Sequence, residues 1–348
     1  VSTRPYTVAD LPQFDAIIDA RTPAEFALDH IPGAINCPVL SNEERHIVGT
    51  TYVQVSAFEA RKMGGAMVAR NIARHLDESF AKHGPQWRPM VYCWRGGMRS
   101  GSFVNVLRMV GWDAQQLKGG YKAWRHHVVD TLPALGAGLS WRVLCGATGS
   151  AKTRVLHAMA VAGEQVLDLE GLAEHRGSVL GEVPGVPQPA QKAFETQLFA
   201  AMARFDPARP VWVEAESRRI GRITVPESLS NAMRASPLVE IVATPQARVD
   251  YLLRDYDWLV QDPAALSQRL GSLKGLVPNA ALAQWQAWAE ARDLVPLLSA
   301  LLNDHYDPLY NRSMGQYWAQ IGNVKRVGAD DLSPTGIVAL AQRVARLA

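Results

Sequence analysis

Trp141-Arg142-Val143-Leu144-Cys145-Gly146-Ala147-Thr148-Gly149-Ser150-Ala151-Lys152-Thr153 is the stretch on which the fold turns. An apolar strand runs into a glycine- and hydroxyl-rich loop. Helix-compatible sequence follows from Lys152 to Ala160. The pattern is close to glycine, four residues, glycine, lysine, then serine or threonine, the sequence of a phosphate-cradling loop. Backbone amides from Gly149 to Thr153 would hold phosphate oxygens at a helix N-terminus. The candidate ligand-binding set is therefore Gly146, Thr148, Gly149, Ser150, Ala151, Lys152 and Thr153. Lys152 would reach terminal phosphate oxygens, and Thr153 would carry Mg²⁺. Ala151 stands where the second glycine is expected. Its methyl group is harmless only if that position needs no positive φ. An ordinary strand–turn–helix junction is the plainer alternative.

Downstream, strands are expected at Gln165–Leu169, Val211–Ala215 and Leu238–Ala243, with helices at Gln191–Arg204 and Gln246–Asp257. Strands alternating with helices predict a parallel α/β sheet. Val211-Trp212-Val213-Glu214-Ala215-Glu216 closes on two carboxylates of the same strand parity, so Glu214 and Glu216 can face one site. Either would hold Mg²⁺ or its water, or act as a base. Asp168 and Glu170 end an earlier strand and read the same way, Asp168 as a metal ligand. Arg218, Arg219 and Arg222 follow the Glu216 strand end directly. They suit a diphosphate or an RNA backbone, or form a solvated face. Residues 263–303 read as mostly helical, Val324–Val327 as extended, and Pro334 to about Leu347 as a last helix. His305 and Asp307 read as ties between helices.

Upstream lies a second α/β pattern, with strands at Ala16–Asp19 and Met90–Tyr92 and helices at Pro23–Leu28, Phe58–Phe80, Ser102–Val110 and Tyr121–Val129. Tyr92-Cys93-Trp94-Arg95-Gly96-Gly97-Met98-Arg99-Ser100 joins a strand to a helix. Cys93 sits at the carboxyl end of its strand, where ligands bind in open α/β sheets. Glycines that let amides point inward, a helix N-terminus, Arg95 and Arg99 all favour a thiolate. Cys93 is thus the candidate nucleophile, with a buried small hydrophobe as the alternative. The expected division is 1–132, a linker at 133–140, an α/β domain at 141–260 and a mostly helical extension at 261–348.

The Cys93 segment resembles the active loop of rhodanese-like sulfurtransferases. So do Asp19-Ala20-Arg21-Thr22-Pro23-Ala24-Glu25-Phe26, His30–Asn36 and Leu117-Lys118-Gly119-Gly120-Tyr121. The usual loop puts its arginine five positions after the cysteine. Here Arg99 is six positions on, similar to rhodanese-fold phosphatases, with room for a larger anion. A rhodanese-like parallel-sheet unit followed by a P-loop-like α/β unit with a helical C-terminal part is similar to the tRNA 2-selenouridine synthase family. Further stretches of that type are 168–178, Phe194-Glu195, Glu214–Gly221 and His305–Tyr310. The resemblance implies a substrate, tRNA with 2-thiouridine at position 34. It implies S-geranylation by geranyl diphosphate and then replacement of the geranylthio group by selenium from selenophosphate. It also implies transient contact with a selenophosphate-producing enzyme, and neither DNA nor membrane as partner. On this reading Cys93, Arg95 and Arg99 serve the selenium step, while Lys152, the loop amides, Mg²⁺ on Thr153, and Arg218 or Arg219 receive the departing diphosphate. A sulfurtransferase coupled to an ATP-binding domain is the alternative.

Composition permits this without demanding it. The 348 residues carry a net charge of +3, and most of the 36 cationic residues are arginines, whose planar fork matches phosphate oxygens. With 48% hydrophobic and 20% charged residues, disorder of the whole chain is excluded. Three cysteines without metal-type spacing make no disulfide scaffold, and a reducing, cytoplasmic setting is expected.

Overall fold

The computed structural model describes residues 4–177, 185–255, 262–318 and 320–347. Ser178, Asp257 and the expected boundary at 260/261 lie outside the described residues. Two compact units emerge, Val1–Leu132 with Pro189–Ala200, and Pro133–Gln188 with Ala201–Ala348.

The first unit holds strands β1 (Ala16–Asp19), β2 (Ile35–Asn36), β3 (Pro89–Tyr92) and β4 (Gln115–Gln116), all parallel in the order β2-β1-β3-β4. All four residues of β3 are buried, as a strand covered by helices on both faces requires. Ile18, Val91, Phe103 and Leu107 pack with Phe80 and Trp87 into the core. The helix Met98–Val110 ends at Gly111 in the left-handed region, the usual glycine stop. The helix Asn42–Gln54 has no counterpart in the sequence reading. It is started by a reciprocal cap between Ser41 and Glu44. Its hydrophobic pattern is weak because none of its residues is buried.

The second unit is built on β5 (Ser140–Cys145), β6 (Gln165–Leu167), β7 (Pro210–Glu214), β10 (Leu238–Ala243) and β11 (Lys325–Ala329). All pairs are parallel, in the order β11-β10-β5-β7-β6. A short antiparallel hairpin, β8 (Arg219–Ile220) and β9 (Ile223–Thr224), stands apart from it. The sheet centre is β5. Leu144 pairs with Glu214 and Cys145 with Glu240, so three strand ends meet where the Gly146–Thr153 loop begins. Helices Lys152–Val161 and Pro334–Ala345 belong to one core with Trp212, Val239 and Ile241.

Three boundaries differ from expectation. Residues 133–138 are not a linker but the last turns of the helix Gly120–Gly138. The carbonyl of Gly136 accepts from Trp141 Nε1 at 2.8 Å, so this proline- and glycine-bearing end keeps a partner. Residues 261–348 are not a separate extension, because β11 pairs with β10 along the sheet. The helix Gln191–Met202 contributes its first part to the first unit. There Phe194 and Leu198, one turn apart, are fully buried, and Thr196 Oγ1 donates to buried Asp29 at 3.1 Å. Among the described residues no helix is long and apolar enough to cross a membrane.

Candidate functional site

In the first unit Cys93 follows β3 and is 3% exposed. Ser100 Oγ donates to its sulfur at 3.0 Å and the Gly97 amide at 3.3 Å. Burial opposes the thiolate, but these donors and the charge of Arg99 outweigh it and hold the Cys93 thiol below its ordinary value. By contrast, burial pushes Cys37 up to about 12 and Cys145 up to about 11. The loop shape depends on two glycines. Gly96 has φ +66°, and a Cβ there would lie 2.7 Å from the Leu117 carbonyl. Gly120 has φ +58°, and a Cβ there would overlap the Cys93 carbonyl. Tyr121 N–H donates to that carbonyl at 2.8 Å, closing the loop against the helix start. Arg99 is committed to Glu25, at 2.6 and 3.2 Å, and Arg95 is exposed. The two loop arginines are therefore not equivalent: one is braced and one is available.

In the second unit the loop after β5 has Gly146 at φ +154°, Gly149 at +83° and Ala151 at +60°. The position of the missing glycine does demand a left-handed backbone, and the alanine adopts it. Lys152 Nζ donates to the Gly146 carbonyl at 2.9 Å, lying back along the loop. Thr153 Oγ1 donates to Glu170 at 3.2 Å. Glu170, Glu214 and Glu216 converge, each offering an oxygen within 4.8 Å of the others. Burial pushes all three carboxyls well above the ordinary range. Neighbouring carboxylates push the same way and Lys152 opposes; Glu214 reaches about 8. Among the described residues, Glu214 Oε1 and Ser150 Oγ are buried with no hydrogen-bond partner. A cation answers both observations, since it would neutralise the cluster and engage the orphaned oxygen.

Asp168 borders the cavity around the loop but has partners of its own. Asp168 caps the helix Leu169–Ala173 through the Gly171 amide at 2.7 Å and meets His157 Nε2 at 2.7 Å. It lies outside the three-carboxylate cluster, which Glu170 enters instead. Arg218 pairs with Glu227 at 3.1 Å, Arg219 is exposed on β8, and Arg222 reaches the Gln188 carbonyl. Neither Arg218 nor Arg219 lines the cavity around the loop. That cavity is about 640 Å³ and is bordered by the loop, the three glutamates and two arginines the sequence reading gave no role, Arg154 and Arg176. Both hold Asp255, at 2.9 and 2.7 Å. His305, expected as a helix tie, also borders the cavity. It is buried, which lowers its pKa, and its Nε2 has no partner among the described residues.

A cysteine loop on one parallel sheet and a glycine- and lysine-bearing loop backed by carboxylates on another mark the chain. Residues 7–127 match the family model of the rhodanese-like domain, and residues 139–277 match that of the tRNA 2-selenouridine synthase AAA domain. Curated tRNA 2-selenouridine synthases are similar over most of their length. The protein of Marinobacter nauticus is 34% identical over 88% of this chain and 90% of its own. That of Cupriavidus necator is 36% identical over 88% of this chain and 90% of its own. The chain belongs to the tRNA 2-selenouridine synthase family. Membership makes it an enzyme, a transferase of the tRNA-modification class. Both units of the family architecture are present.

Proposed function

We propose that the chain converts 2-thiouridine at position 34 of tRNA to 2-selenouridine by two transfers, one at each loop. The observation that carries this is the pairing within one chain of a thiol held below its ordinary value with a lysine-bearing phosphate loop. In the first transfer the thiocarbonyl sulfur attacks the allylic carbon of geranyl diphosphate. The C–O bond breaks, diphosphate leaves, and the uridine loses its N3 proton, giving a neutral geranylthio base. Lys152 and the loop amides are suited to the charge that gathers on diphosphate. His305, whose pKa burial lowers, borders the same cavity and is assigned to take the proton. Glu170, Glu214 and Glu216 would hold Mg²⁺, which would supply further positive charge to the diphosphate.

In the second transfer the Cys93 thiolate attacks the phosphorus of selenophosphate. The S–P bond forms and the P–Se bond breaks, with exposed Arg95 and the loop amides receiving the phosphoryl oxygens. The freed hydroselenide adds at carbon 2 and expels geranylthiolate, and water then hydrolyses the thiophosphate on Cys93. Selenophosphate comes from a separate enzyme by transient contact. The exposed arginines of the β8–β9 hairpin are assigned to tRNA phosphates.

The test is nucleoside mass spectrometry after incubation with 2-thiouridine tRNA, geranyl diphosphate and selenophosphate, each omitted in turn. Cys93→Ser is expected to accumulate the geranylthio base and make no selenouridine. Lys152→Ala is expected to slow formation of the geranylthio base. Normal selenouridine output from Cys93→Ser, or an unchanged geranylation rate in Lys152→Ala, removes that residue from its step.

A further inference from the structure

The cavity beside the phosphate loop has two chemically distinct parts. One is the loop with its lysine and carboxylates. The other is supplied by the helix Pro245–Asp255 and by residues 305–318, and its members include Tyr251, Leu252, Leu309, Met314 and Trp318. Leu252, Met314 and Trp318 are 7, 5 and 5% exposed. This apolar wall begins at the loop itself, because a Cβ on Gly149 would lie 3.1 Å from Leu252 Cδ1. It is also tied to the loop. Buried Arg248 donates from Nε to the Thr148 carbonyl at 2.8 Å, and its two terminal nitrogens grip Asp307 at 2.9 and 2.6 Å. Asp307 opens the helix Asp307–Tyr317, which carries Leu309 and Met314. A single guanidinium thus fixes the apolar helix against the phosphate cradle, with bidentate geometry that a lysine could not reproduce.

We infer that this wall seats the hydrocarbon tail of the allylic diphosphate, with the tail leaving the phosphate loop along Leu252 toward Leu309, Met314 and Trp318. The inference rests on the proposed reading of the loop as a diphosphate site, and it adds where the chain-length selectivity resides. The cavity, about 640 Å³, falls within the roughly 300–1,000 Å³ of small-ligand sites. Each methylene taken from water tightens binding by about fourfold. Binding therefore depends on tail length if the wall is used, and depends only on the phosphates if it is not.

The test is calorimetric binding to the full chain, with Mg²⁺, of four probes: inorganic diphosphate, the S-thiolodiphosphate analogues of dimethylallyl and geranyl diphosphate, which resist ionisation, and ADP. The geranyl analogue is expected to bind at least about tenfold more tightly than the dimethylallyl one. Leu309 is 46% exposed, so polar and large replacements leave the fold intact. Leu309→Glu is expected to weaken the geranyl analogue by about tenfold while inorganic diphosphate stays within about twofold. Leu309→Trp is expected to weaken the geranyl analogue more than the dimethylallyl one. Thermal melts of both variants report the fold. If diphosphate binds but the geranyl analogue binds no tighter, the tail site is wrong and the loop reading stands. If wild type prefers the longer tail and both Leu309 variants keep that preference, the wall is wrongly placed. If ADP outcompetes the geranyl analogue, the wall reads a nucleoside. If no diphosphate binds, the reading of the loop falls and the inference falls with it.

Discussion

Glu214→Gln removes one charge from the three-carboxylate cluster at nearly constant shape. Glu214 is 2% exposed, and burial, with the charge of Glu170 adding to it, raises its carboxyl from the ordinary 4.5 to about 8. The carboxyls of Glu170 and Glu216 move the same way. The folded chain therefore holds these protons more firmly than the unfolded chain. In the absence of divalent cation, stability is greatest at acid pH as far as these groups decide it, and it is lost as pH rises from about 4.5 through about 8. At about 1.4 kcal/mol for each pKa unit, full ionisation of Glu214 alone costs up to about 5 kcal/mol. Relaxation and water entry reduce that to a few kcal/mol. At roughly 2–4 °C per kcal/mol for a unit of this size, the variant should melt about 5–10 °C above wild type at pH 9 in EDTA. The two should converge near pH 5. Saturating Mg²⁺ should raise wild type at pH 9 and reverse the order. The measurement is thermal unfolding across pH, with and without Mg²⁺. Parallel pH curves for the two proteins, or a variant that melts lower at pH 9 in EDTA, would refute the buried-charge reasoning.

Other consequences can be checked as simply. Ser100→Ala deletes a donor to the Cys93 sulfur, so the midpoint pH for alkylation of Cys93 should rise; an unchanged midpoint would exclude the hydroxyl as a source of the thiol's acidity. Ala151→Gly relieves a left-handed alanine worth about 1–2 kcal/mol but loses a buried methyl worth about 0.8 kcal/mol and frees the unfolded chain. Its stability should therefore stay within about 1 kcal/mol of wild type, whereas Ala151→Val, β-branched at φ +60°, should lose more than about 2 kcal/mol in urea unfolding. Arg219→Ala should weaken tRNA binding and lower the log–log salt slope by roughly one; an unchanged slope would return Arg219 to the solvated surface.

What the sequence revealed followed from local physics. Cys93 and the 146–153 loop were legible because a strand, glycines and a helix start are contiguous in the chain. Glu214 and Glu216 were named from strand parity, but β7 ends at Glu214, and a turn in which the Glu216 amide donates to the Glu214 carbonyl at 2.9 Å brings Glu216 in. Glu170 was named together with Asp168, but Asp168 is engaged as a helix cap and with His157, whereas Glu170 joins Glu214 and Glu216. No one-dimensional pattern separates them. Asp307 was read as a tie between helices, but its partner Arg248 was opaque for another reason. Their partnership spans 59 residues, and only the folded sheet brings the helices together. The return of β11 to the sheet was equally hidden, because a five-residue edge strand after a helical run reads as a tail.

The placement of residues Pro189–Ala200 in the first unit has a consequence for biosynthesis. The first 132 residues leave the ribosome long before this segment does, yet they lack what it supplies. Until Thr196 and Glu195 emerge, buried Asp29 lacks its hydroxyl donor from Thr196, and the guanidinium of Arg125 lacks its carboxylate. The N-terminal unit is completed only by a stretch that lies in the chain between β6 and β7 of the second sheet. Residues 1–132 expressed separately would lack these two partners, and genetic recombination at the apparent junction would part Asp29 and Arg125 from them.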